Sequence, residues 1–300
     1  MTTATQSAFY ATVKKLTASV IYHSAKLCES LYDLGSVRPE GETKYLYFGA
    51  QRSYVYPVKL TRNVFGDNGI MKVAVTMDTI TRTCYITFSG TQDLEYWLYN
   101  TDTDPVTMPE ADLPVHEGFY DLFKSCLNEQ LLVDLIRSKV YLCDRFVFCG
   151  HSAGGAVANL AAAYCRNRLS EHNKEIFVVD FGTPRFCTRE ASEWFADNRV
   201  SFQNYLDLVT CAPFNTFLGS DRKYITVGKP FLMKSSGLSS NGWRRTLSLM
   251  FYYFFALLRF EITSKVVHEH SMEEYMRRLS NCMNQLYNRM TLEGDNNEVP

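Results

Sequence analysis

A serine, the histidines that follow it and a few aspartates are the residues best able to do chemistry in this chain of 300 residues. "FCGHSAGGAVA" (148–158) sets Ser152 between Gly150 and Gly154, after an apolar run and before an alanine-rich one. A hydroxyl becomes a nucleophile when a general base takes its proton and a carboxylate orients that base. Glycine at both i−2 and i+2 suits a turn too tight for side chains. Between a strand and a helix, such a turn pushes the serine out above a sheet edge. It lies there at a helix N-terminus, where N–H groups and the dipole support developing negative charge.

In that arrangement the acid and then the histidine follow the serine along the chain. The histidines after it are His172, His268 and His270. His172, in "SEHNKE", reads as solvated surface. In "VVHEHSMEEYM", Ser271 and Glu274 make an S-x-x-E capping box that predicts a helix start. His270 is then expected in the loop before the cap, exposed yet fixed, with His268 as the alternative. The acid candidates are Asp180, Asp197, Asp207 and Asp221. Asp207 directly follows the predicted strand "RVSFQNYL" (199–206), at the strand end where α/β sheets place their sites. Asp180, inside an apolar strand, is the second choice; its other reading is a structural carboxylate. The backbone N–H of Ala153 is one expected oxyanion donor, and the loop "SGTQDLEYW" (89–97) is expected to supply the other.

The elements around these residues alternate in type. "MKVAVTMD" (71–78) and "TCYITFSG" (83–90) read as strands joined by a short turn, and 118–139 as one helix. "RFVFC" (145–149), "EIFVVDFG" (175–182) and 199–206 read as strands, and 154–169 as a helix. Residues 35–69 read as mixed and turn-rich. Phe9, Val13, Leu16, Val20 and Leu27 share one face of a helix expected over about 4–31 and docked on the domain, rather than a cleaved targeting peptide. Such alternation implies an α/β fold with a mostly parallel sheet covered by helices on both faces. A single domain is expected over 1–291, with an apolar insertion at about 236–262 and a frayed tail at 292–300.

Apolar residues make up 46% and charged residues 21%, which is ordinary for a globular chain, and the net charge of −1 provides no basic field for nucleic acid. The nine cysteines include no CxxC pair and no Cys/His cluster with zinc-like spacing. They read as buried thiols in a reducing compartment, and no signal-peptide core opens the chain. The expected location is cytoplasmic, with membrane association.

Four stretches carry a resemblance: "ITFSGTQDLEYW" (86–97), "VHEGFYDLF" (115–123), "FCGHSAGG" (148–155) and "VVDFGTPRF" (178–186). In them the chain, from about 70 to 210, resembles the class 3 lipases, the fungal-lipase-like branch of the α/β-hydrolases. The resemblance implies hydrolysis of carboxylic esters, with lipids as the substrate class. It also points to Thr91 as the second oxyanion residue. "HSMEEYM" is similar to the family's His-Ser-aliphatic pattern, and "DLVTCAP" to its Asp-x-Val-Pro, with a departure at Val209-Thr210. Ser89 stands where the family usually has arginine. His116, in "VHEGF", is given no catalytic role.

The expected mechanism uses Ser152 as nucleophile, His270 as base and Asp207 as acid, with Thr91 and Ala153 N–H groups on the oxyanion. It needs no metal and no cofactor. "WRRTLSLMFYYFFALLRF" (243–260) has no charge from 246 to 258, a span of 13 residues, too short for a bilayer that takes about 20. It reads either as a core helix or as a lid, acyl-pocket wall or interfacial surface, since Trp243, Arg244, Arg245 and Arg259 suit a headgroup layer. A second lid candidate is 92–110. The alternatives to a lipase are a small-ester esterase or acyltransferase on the same scaffold, or a lipase-like binding or scaffold protein.

Overall fold

The computed structural model describes residues 16–34, 44–48, 51–59, 70–90, 104–128, 131–169, 172–213, 223–239, 242–259 and 261–292. Helix α1 (Ala18–Asp33) opens at Thr17, whose hydroxyl accepts from the Val20 N–H at 3.4 Å. It starts later than the expected 4–31 because Thr17, in extended backbone, caps it; Phe9 and Val13 lie outside the described residues. Leu16, Val20 and Leu27 are buried.

Strands follow as β1 (Lys44–Phe48), β2 (Gln51–Lys59), β3 (Ile70–Asp78) and β4 (Thr83–Phe88). The first two occupy the stretch read as mixed and turn-rich. They were hidden by Pro57 and by the charged residues Arg52 and Lys59, which depress strand propensity. A small hairpin, β5 (Pro105–Met108) and β6 (Leu113–His116), stands apart. The helix read over 118–139 is found as α2 (Glu117–Asn128) and α3 (Leu131–Lys139). Then come β7 (Arg145–His151), α4 (Ala153–Leu169), β8 (Glu175–Phe181), α5 (Arg189–Ala196) and β9 (Arg199–Asn204). A 3₁₀ turn at Val209–Cys211 precedes β10 (Phe231–Lys234), β11 (Gly237–Ser239), α6 (Gly242–Leu258), α7 (Ile262–His270) and α8 (Met272–Leu292).

The main sheet has the order β1-β2-β3-β4-β7-β8-β9-β10-β11. It is parallel from β4 to β10 and antiparallel at both margins. Strand β7 shows why its sequence is a continuous apolar run. Successive side chains point to opposite faces: Phe146 and Phe148 pack on one side, with Leu160, Ala161 and Phe123, and Val147 and Cys149 on the other, with Val20, Leu27 and Tyr275. Helices α2, α3 and α4 therefore cover one face; α1 and α8 cover the other. In α8 the buried residues Met272, Tyr275, Met276, Leu279 and Cys282 recur at helical spacing. All nine cysteines are free thiols; eight are buried and Cys211 is half-buried.

Candidate active site

Ser152 sits where β7 hands over to α4, in the left-handed region at φ +59. Only a tightly determined turn holds a non-glycine there, at a strain of roughly 1–3 kcal/mol. Two backbone bonds fix it: the Ser152 N–H donates to Phe181 O at 2.9 Å, and the Gly155 N–H to Ser152 O at 3.0 Å. The flanking glycines are required by close approach. A Cβ on Gly150 would collide with the Gly154 carbonyl and lie 2.7 Å from Gly155 N. A Cβ on Gly154 would collide with Phe88 O and lie 2.6 Å from Ser89 O.

The serine was expected to stand exposed above the sheet edge. It is at the carboxyl end of β7, but it is 2% exposed. Gly90, two residues past the end of β4, lies against it: a Cβ on Gly90 would be 3.0 Å from Ser152 Cβ and 2.8 Å from His151 O. Ala153, the first residue of α4, is buried beside it, at the end of a helix where N–H groups lack intrahelical acceptors. Thr91 and residues 92–103 of the second lid candidate lie outside the described residues.

His270 and Asp207 meet although 63 residues separate them: His270 Nδ1 is 2.8 Å from Asp207 Oδ2. Both are buried. The Tyr275 hydroxyl donates to the same oxygen at 2.6 Å, and the Val209 N–H to Oδ1 at 2.9 Å. Tyr275 is itself placed by accepting the Asn204 N–H at 3.0 Å. The departure at Thr210 also has a local account, since its hydroxyl donates to Asp207 O at 2.9 Å and closes the 3₁₀ turn.

His270 is not in a loop, as expected, but the last residue of α7. Ser271, in extended backbone, separates α7 from α8; it accepts from the Glu274 N–H at 3.2 Å and donates to His268 O at 2.9 Å. This is half of the predicted capping box. The Glu274 carboxylate turns instead to Arg277 and Arg278, at 2.6 Å each. Burial opposes the Glu274 charge, but these guanidiniums outweigh it and hold the carboxyl at about 2. His268 is exposed.

His270 Nε2, the nitrogen facing away from Asp207, is buried without a hydrogen-bond partner. No hydrogen bond joins it to Ser152 Oγ in this structure. Both residues adjoin the end of β8: the Ser152 N–H donates to Phe181 O, and a Cβ on the next residue, Gly182, would lie 3.1 Å from His270 Cε1. Hydrogen bonds of this kind commonly tighten only once substrate is bound.

Asp180, the second choice, faces different partners. Arg199 Nε donates to its Oδ2 at 2.6 Å and Nη2 to its Oδ1 at 3.0 Å, while Ser201 and Asn159 donate at 2.8 and 3.1 Å. This buried cluster locks β8 to β9 and α4 and contains no histidine. His116 accepts the Gly118 N–H at 3.1 Å and packs on Phe119 and Tyr224. His172 is exposed. Among the described residues no group of histidine, cysteine, aspartate and glutamate could hold a metal.

Reading the sequence missed Tyr275, Tyr32 and His151, and it gave Arg245 another part, as a headgroup cation. Arg245 of α6 donates to Gln203 Oε1 and Thr210 Oγ1 at 2.6 Å each, and to Tyr205 O and Asp207 O at 3.1 Å each. Tyr253 of the same helix donates to Leu206 O at 2.9 Å. The apolar segment is thus tied to the loop that carries Asp207. Its outer side is apolar and exposed: Leu247, Met250, Phe251, Phe254 and Leu257 are 48–63% exposed and share one face. Arg244 and Arg259 are exposed near its ends. No described helix is long and apolar enough to cross a membrane.

Residues 85–217 match the family model "Lipase (class 3)". A lipase of Rhizomucor miehei is 33% identical over 159 residues, half of this chain and 43% of that protein. The chloroplastic phospholipase A1 PLIP1 of Arabidopsis thaliana is 33% identical over 119 residues, 38% of this chain and 18% of that protein. The chain thus spans less than half the length of these curated relatives. The solved Rhizomucor miehei triacylglyceride lipase superposes with a TM-score of 0.52 at 18% identity, over 71% of this chain and 78% of that one, a likeness of fold.

Proposed function

Residues 85–217 belong to the class 3 lipase family, and from that premise we propose that the chain hydrolyses carboxylic esters of lipids through an acyl-enzyme on Ser152. One observation carries this reading. A buried imidazole, clamped at Nδ1 by a buried carboxylate, keeps its other nitrogen unpartnered, and its ring lies 4.6 Å from that of His151, the residue before a serine held at φ +59. Ser152 Oγ attacks the ester carbonyl carbon, and His270 Nε2 takes its proton. Asp207 fixes the imidazole's tautomer and stabilises its charged form. The Ala153 and Thr91 N–H groups receive the oxyanion. His270 then protonates the departing alcohol. It next deprotonates a water that attacks the acyl-enzyme, which frees the fatty acid and restores Ser152.

The substrate class is an acylglycerol or phospholipid met at a lipid surface, in a reducing, cytoplasmic setting. The exposed apolar face of α6 supports this: five large apolar side chains with arginines near both ends suit an anionic headgroup layer. With Ser152 almost covered, substrate entry requires its cover to move, and a surface that engages α6 pulls on the Asp207 loop through Arg245 and Tyr253.

A panel of esters of increasing acyl length, offered as monomers and as micelles, tests the reading. Turnover that rises with chain length and jumps above the micelle threshold supports it. A preference for short monomeric esters makes the chain a small-ester esterase, and acyl transfer to an added alcohol in preference to water makes it an acyltransferase. No turnover of any member leaves a lipase-like binding protein.

A further inference from the structure

Among the described residues the ring of His270 makes one hydrogen bond, at Nδ1. A single hydrogen bond does not by itself set the plane of the imidazole, so the groups packed against the ring must fix it. The geometry points to Tyr32 and His151 as a positioning pair for the proposed hydrolysis: the Tyr32 hydroxyl pins the His151 imidazole, and the His270 ring rests on that imidazole's face. This inference rests on the hydrolase reading above.

The contacts are close. The centroids of the His151 and His270 rings are 4.6 Å apart, with their planes 35° from parallel. His151 Nδ1 is 2.6 Å from the Tyr32 hydroxyl, and the side chain is otherwise sealed, 3% of the residue being exposed. Tyr32 comes from the last turn of α1, 119 residues earlier in the chain and outside the region that matches the family model. Its hydroxyl also abuts Gly90, where any Cβ would collide with it. One phenol therefore touches the residue before the nucleophile and the residue that leads into the oxyanion loop.

His151 is suited to the part because it stays neutral. Burial, and then repulsion from His270, hold its pKa well below the ordinary histidine value. The titratable groups around it are His270 from α7, Tyr275 from α8, at a centroid distance of 5.4 Å, and Tyr32 from α1; Asp207 lies one hydrogen bond further on. As His270 takes the serine proton, a neutral π face beside it favours the new charge, whereas a second imidazolium would oppose it.

The test is a double-mutant cycle on kcat and KM with a soluble short-chain nitrophenyl ester, in the full chain, using Tyr32→Phe, His151→Phe and the double variant. Tyr32→Phe keeps the ring and removes only the hydroxyl. It should lower kcat about tenfold with KM within about twofold, and adding it to His151→Phe should lower kcat no further, because coupled residues give non-additive losses. A melting temperature near wild type in Tyr32→Phe separates positioning from folding. Wild-type kcat in Tyr32→Phe overturns the pair, as do losses that simply multiply in the double variant. Should His151→Phe not fold, the kcat and KM of Tyr32→Phe decide alone. A wild type that turns over no ester and reacts with no fluorophosphonate overturns the hydrolase reading itself, before any variant is compared.

Discussion

Replacing Asp207 by asparagine asks whether the buried carboxylate that the fold brings to His270 is the working acid. Three donors converge on it: His270 at 2.8 Å and Tyr275 at 2.6 Å on Oδ2, and the Val209 N–H at 2.9 Å on Oδ1. An asparagine must put its NH₂ group at one of these oxygen positions. At the Oδ1 position it faces the Val209 N–H, donor against donor, at a buried cost of about 1–3 kcal/mol. At the Oδ2 position it faces His270 Nδ1 and favours the tautomer with the proton on Nε2, which cannot accept one from Ser152. Either pose also loses the charge that stabilises the imidazolium. The expected fall in kcat is about 10³–10⁴-fold, or roughly 4–5.5 kcal/mol at about 1.36 kcal/mol per decade. Asp180→Asn is the control. It leaves the buried Arg199, with a side chain 5% exposed, short of its counter-charge. It should cost about 3–5 kcal/mol of stability while the folded fraction keeps its kcat. The assay is ester turnover normalised by active-site titration, together with urea unfolding. An Asp207→Asn protein within tenfold of wild-type kcat refutes the reasoning, as does an Asp180→Asn protein that is stable but inert.

Three further outcomes are expected. Gly182→Ala puts a methyl 3.1 Å from His270 Cε1 at a residue with φ +61; kcat should fall at least about tenfold with a stability loss of about 1 kcal/mol, and unchanged kinetics would place His270 elsewhere. Phe251→Ser with Phe254→Ser, at side chains 63% and 55% exposed, should weaken binding to anionic vesicles at least about tenfold and leave soluble-ester turnover unchanged; equal vesicle binding removes α6 from the lipid surface. Glu274, depressed from 4.5 to about 2 in the folded chain, contributes stability that is present above the unfolded value and lost as pH falls toward 2. Urea midpoints should therefore drop over that window more steeply in wild type than in Glu274→Gln, and parallel curves would contradict the ion-pair assignment.

What the sequence displayed was local. The run 145–149 is apolar without alternation because both faces of β7 are covered, and the glycines around Ser152 announce a turn that any Cβ would block. Asp207 was placed by its position after a strand, and His270 by the serine cap that follows it. The helix before that cap was invisible because "ITSKVVHEH" is rich in β-branched residues that favour strands. The burial of Ser152, the Tyr275 bond to Asp207 and the Tyr32 contact with His151 depend on parts of the chain 68 and 119 residues distant in the last two cases. No period or spacing encodes such meetings; only the packing of α1 and α8 on the same sheet face creates them. Arg245 was legible as a headgroup cation, yet its guanidinium turns inward to the Asp207 loop.

The most direct measurement is mass spectrometry of the chain after reaction with a fluorophosphonate, which phosphonylates an activated serine. A single adduct on the peptide containing Ser152, absent in Ser152→Ala and formed at least about a hundredfold more slowly in His270→Ala, is the predicted result. An adduct on another serine, or labelling of Ser152 at the same rate without His270, contradicts it.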